Sequence, residues 1–154
     1  MTMRGGEKMK AFLTKLSKDL TSGKPMVRVG FLSGSMSGEH HDQPSPTIAF
    51  ILENGAPAAH IPPRPFFRNM IVRRSGKWGA QLAAFLRSNN YNVKMSLDGM
   101  GLIMGEQLQV EITEFTNPGN APATIAHKGF DKPLEDSKNM KRSVSHEVVL
   151  SGGE

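Results

Sequence analysis

The sequence predicts an α+β fold: a single domain with a small, mostly antiparallel sheet, packed with three or four helices and carrying long extended loops. Three observations lead there. Apolar residues recur at helical spacing in four stretches, alternate at strand spacing in two, and are separated by segments rich in Pro, Gly and Ser. A chain of 154 residues is an ordinary size for one domain and long enough to bury a core. The domain is expected over 1–150, with a flexible loop at 33–45 and a tail at 151–154.

Met9, Phe12, Leu13, Leu16 and Leu20 follow the 3.6-residue period, so the chain opens with an amphipathic helix that ends at Gly23-Lys24-Pro25. Met26 to Leu32 reads as a strand with Val27, Val29 and Phe31 on one face. A polar, small-residue loop follows to Pro44. Ser45-Pro46-Thr47 starts a second helix whose stripe is Ile48, Ile51 and Leu52, and Glu53-Asn54-Gly55 stops it. Four prolines in the nine residues from Pro57 to Pro65 impose a stiff, extended link.

Pro65 then opens a helix carrying Phe66, Phe67, Met70 and Ile71. Ser75-Gly76 is expected to break or bend it before Trp78, Leu82, Phe85 and Leu86 continue the period. Residues 96–115 make the next helix, on Leu97, Met100, Met104, Leu108, Ile112 and Phe115. Its Gly99, Gly101 and Gly105 each cost about 1 kcal/mol relative to Ala, which close approach of another backbone would explain. Thr124 to Leu134 reads as irregular, 135–141 as a short helical turn, and Val144, His146 and Val148 alternate as a last strand. The expected order is α-β-α-α-α-β.

Composition removes several classes of function. With 38% hydrophobic residues and 16 glycines the chain is neither disordered throughout nor fibrous. No apolar run approaches the roughly 20 residues of a membrane-spanning helix, so no membrane partner is expected. The first seven residues lack the apolar core of a signal peptide, and synthesis in a cytosol is the expectation. Zero cysteines exclude a disulfide scaffold, a thiolate metal site and a Cys nucleophile.

The net charge of +5 is unevenly distributed. Residues 1–28 hold seven Lys/Arg against two acids, and residues 54–97 hold seven against none. Residues 98–154 reverse this, with five basic against nine acidic. Such a split suits head-to-tail matching between copies, or contact with a polyanion.

Catalytic patterns are thin. His40-His41-Asp42 is the densest set of metal-ligand types, yet adjacent histidines in an extended loop point to opposite sides. Asp131, Glu135 and Asp136 form an acidic run of the kind that is usually solvated. There is no nucleophile elbow or phosphate loop, and the glycines of 99–105 follow no strand. The expectation is no enzyme, no cofactor and no metal. Arg64, Arg68, Arg73, Arg74 and Lys77 offer phosphate contacts, so a small basic protein binding DNA without sequence preference stands as the alternative function.

Two segments carry a resemblance. The first runs Ile48-Ala49-Phe50-Ile51-Leu52-Glu53-Asn54-Gly55, crosses the proline link, and continues Ile61-Pro62-Pro63-Arg64-Pro65-Phe66-Phe67-Arg68. The second is Thr124 to Ser137, containing Lys128-Gly129 and Pro133-Leu134-Glu135-Asp136, and leads into Ser143-Val144-Ser145. In this order, with the strand at 26–32, they resemble the neck and tail-completion proteins of tailed bacteriophages, similar to the minor tail protein Z group. Ser137 and Lys138 stand where that family carries Thr-Gly.

The resemblance implies a structural virion protein made in the host cytoplasm and placed at the head–tail junction. It implies a self-assembled ring, taken as a hexamer, that joins the portal or head connector to the tail tube or tail terminator, close to the genomic DNA. The interface residues it points to are Arg64, Pro65, Phe66, Arg68, Lys128 and Asp136. For Phe66 the other reading is a plug into its own core, and for Asp136 a cap on the following turn.

Overall fold

The first strand of the chain pairs with the last. β1 (Met26–Gly30) and β2 (Ser145–Val149) form a two-stranded antiparallel sheet in the register Met26↔Val149 to Gly30↔Ser145. The computed structural model describes residues 4–21, 24–32, 45–134 and 139–150. The expected loop at 33–45 lies outside them except for Ser45, as does the tail at 151–154. Around the sheet stand α1 (Arg4–Thr21), α2 (Ser45–Asn54), α3 (Phe66–Ser88), α4 (Val93–Glu114), α5 (Pro122–Lys128) and α6 (Asn139–Arg142). The α+β class holds, with helix dominant.

α4 is the centre. One side of it receives the sheet and another receives α3. Alternation along the strands puts Val27, Val29, His146 and Val148 on the half-buried side, while Arg28 and Glu147 pair outside at 3.2 Å. Gly30 (φ 146°) ends the ladder two residues earlier than expected. Phe31 leaves it and packs edge-on to Phe66, with centroids 6.2 Å apart. The core gathers Phe66 and Met70 from α3, Leu108 and Ile112 from α4, and Ala49, Phe115, Leu134 and Met140.

The helices need further correction. α3 runs unbroken through Ser75-Gly76, because both residues face solvent and the turns on either side are anchored. Phe66 and Met70 are buried before them, and Trp78 beyond them donates from Nε1 to Gln107 Oε1 at 2.9 Å. A propensity cost of about 1 kcal/mol does not outweigh that packing. The stretch from Thr124 is not irregular either, since Pro122 to Lys128 is helical. Pro122 sits in the first turn, and Gly129 (φ 79°) closes the end by donating its N–H to Ile125 O.

α4 begins at Val93, three residues before the expected start. Asn92 caps it, its side chain accepting the Met95 N–H at 3.1 Å. Its glycines are met by side chains, not by another backbone. The Phe85 ring lies against Gly99, and the His146 ring with Val27 lies against Gly101.

Candidate interaction site

The residues singled out between Ile48 and Arg68 fold into one compact join between α2 and α3. Gly55 (φ 76°) turns the chain out of α2 at a place where a Cβ would stand 2.8 Å from Pro63 N. Ala56 and Ile61 then bridge across the short 3₁₀ turn Pro57–Ala59. This returns the link so that Arg64 N donates to Leu52 O at 2.8 Å. The stiff prolines therefore form a closed loop held at its base.

Glu53 lies at the centre of the join. Its carboxylate accepts the backbone N–H of Phe67 at 2.9 Å and of Arg68 at 3.2 Å, which caps the start of α3. Arg68 Nε donates to the same Oε1 at 2.9 Å, and its Nη2 donates to Glu53 O and Asn54 Oδ1. Pro65, half-buried at the N-cap, supplies no side-chain cap, so the carboxylate takes that task from outside the helix.

Arg64 points the other way, into the protein. Its Nη2 donates to Gly119 O and Asn120 Oδ1, both at 3.3 Å. Asp131 fixes the far wall, accepting Asn120 N at 2.9 Å. Burial lowers the Arg64 pKa from its ordinary value, and the charge of Asp131 opposes that shift. Arg64 and Phe66 are both buried within one chain, where Arg64 ties the link to the 119–120 turn and Phe66 joins the core. Of the other expected interface residues, Arg68 is exposed and Pro65 half-exposed.

Lys128 sits elsewhere, half-buried, donating from Nζ to Lys132 O at 3.2 Å with the ammonium 5.3 Å from the Phe130 ring centroid. Asp136 lies outside the described residues, together with Glu135 and the His40-His41-Asp42 cluster. Among the described residues no group of three or more His, Asp or Glu is placed to hold a metal. No described helix is long and apolar enough to cross a membrane.

Three of the seven cations of the basic block, residues 54–97, are engaged in internal contacts. Arg73 pairs with the buried carboxylate of Glu111 at 3.1 Å, Arg68 with Glu53, and Arg64 with the 119–120 turn. Lys77, Arg87 and Lys94 are exposed. The sequence pattern marks Glu53 and Asn120 only as parts of helix-ending turns and gives no role to Glu111. For Glu53 a signal existed: an acid ahead of a Gly turn, then Arg at the next helix start. For Asn120 and Glu111 none did, since their partners lie 56 and 38 residues away.

A second feature is apolar surface. α1 is amphipathic as expected, yet every side chain described on it but Leu16 is exposed, the apolar stripe included: Met9 is 57% and Leu13 54% exposed. No other described element packs extensively against it; Phe12 meets Tyr91 edge-on at 5.7 Å. Searches of family models, curated proteins and solved structures find no match to this chain.

Proposed function

We propose that this chain is a structural virion subunit of a tailed phage, assembling as a ring at the head–tail junction and joining connector to tail. The observation that carries the assembly part is the outward apolar face of α1. A lone soluble chain gains nothing by displaying Met9 and Leu13, whereas a subunit covers them on joining its neighbour. The head–tail placement is supported by the ordered likeness of residues 48–68 and 124–145 to neck and tail-completion proteins.

The DNA-binding alternative loses weight here. Three of the five cations it relied on, Arg64, Arg68 and Arg73, are held by acceptors of the same chain. The deciding experiment is electron microscopy of purified particles carrying an epitope tag on this chain. Label at the joint, with separate heads and tails accumulating when the chain is withheld, is the expected outcome. Particles that join normally without the chain would refute the reading.

A further inference from the structure

We propose that the apolar face of α1 in one copy docks on the exposed face of α4 in the next, a head-to-tail contact between copies of this chain. The proposal rests on the assembly reading above and deepens it by naming the two surfaces. The first is the stripe of Met9, Phe12 and Leu13. The second is on α4, where Met95 and Leu102 are each 57% exposed and Val110 is 39% exposed. These three recur at intervals of seven and eight residues, so they share one side of the helix. Among the described elements β1, β2, α3 and α6 pack on α4, and Met95, Leu102 and Val110 stay exposed beside them.

The charges of the two faces are opposite. At about 100° per residue, Lys10 flanks the α1 stripe on one side and Lys8 and Lys15 on the other. On α4, at the same angular step, Asp98 borders the line of Met95, Leu102 and Val110, and Glu106 stands within it, one turn from Leu102 and one from Val110. Glu106 is exposed, and Asp98 holds His146 Nε2 at 2.9 Å while keeping half its side chain in solvent. An apolar stripe edged with lysines thus has, on the same molecule, an apolar line that carries carboxylates. Because the two surfaces are different, the contact is heterologous. Repeated, it closes a ring or grows a filament according to its rotation, and it needs no two-fold partner. The opposite charges also disfavour α1 meeting α1, or α4 meeting α4.

The absence of cysteine makes the test clean. Full-length chains carrying Leu13→Cys and Leu102→Cys are mixed and treated with a short bis-maleimide. Cross-linked mixed dimers above the share that random pairing gives are expected. Placing Lys10→Glu in the first chain should lower their yield roughly two- to fivefold, and Glu106→Lys in the second should restore it. A random share of products, dominance of Leu13→Cys homodimers, or no rescue would overturn the contact. Binding of the unaltered chain to phosphatidylserine vesicles, with cross-linking abolished, would assign the α1 face to lipid instead. Cross-linking by a chain that proves absent from the joint leaves this contact standing and removes the virion reading. A labelled joint without cross-linking does the reverse.

Discussion

Glu53 and Arg68 are joined side chain to side chain at 2.9 Å, and the same carboxylate caps the helix on which Arg68 stands. The two roles separate in their energetics. Arg68 is 61% exposed and Glu53 13%, so the ion pair is screened while the cap is not.

Glu53→Ala should therefore cost about 2 kcal/mol, the loss of a charged cap to two backbone donors. Arg68→Ala should cost about 0.5 kcal/mol, the ordinary worth of an exposed pair. Urea unfolding midpoints of both variants measure this directly. Equal losses would mean that the cap contributes nothing.

Arg64 gives the second expectation. Arg64→Met keeps the apolar stem but abandons Gly119 O and Asn120 Oδ1, and should cost about 2–3 kcal/mol. Arg64→Glu should be worse, because a buried carboxylate then faces acceptors and the charge of Asp131. Circular dichroism melts would register both. An unchanged melting temperature in Arg64→Glu would place this side chain outside the fold and available to a partner.

How far the fold was legible follows from what periodicity reports. It gives the face of a helix that is apolar, and so α1, α2, α3 and α4 were all readable. It does not say what covers that face. The stripe of α1 looked like a core contribution, but most of it lies in solvent. Nor does local pattern see partners far along the chain. Arg64 read as a surface cation because arginine is rarely buried unless paired, and its partners lie 55 and 56 residues later. α5 was missed for another reason: Pro122 and Gly129 are its start and stop signals, yet only Ile125 offers an apolar stripe between them.

The glycines of the two long helices supply a third prediction, of opposite sign at two sites. Gly101→Ala would place its Cβ 2.7 Å from His146 Cγ and 3.0 Å from Val27 Cγ2. The sheet would have to lift from α4, at a cost of about 1–3 kcal/mol. Gly79→Ala meets nothing within 4 Å and should stabilise α3 by up to about 1 kcal/mol. Thermal unfolding of the two variants tests this; the same sign for both would contradict the packing.

The last prediction separates assembly from DNA binding by counting available charge. A protein that neutralises phosphates shows a logarithmic salt slope of about 0.9 per contact, so each cation removed should flatten it by nearly one. On α3 and α4 the exposed cations without a carboxylate partner among the described residues include Lys77 and Arg87, whereas Arg68 and Arg73 are paired. If DNA is the partner, Lys77→Ala with Arg87→Ala should lower the slope by about two and weaken duplex binding steeply. If copies of the chain are the partner, that double variant should leave weak duplex binding nearly unchanged, because neither residue borders the α1 or α4 stripe. Self-association should persist too, as the lysines it uses stand on α1. We expect the second pattern. It can be read by fluorescence anisotropy on a short duplex over a range of salt, with sedimentation velocity on the same samples. A slope that falls by two while association stays intact would move the function to DNA.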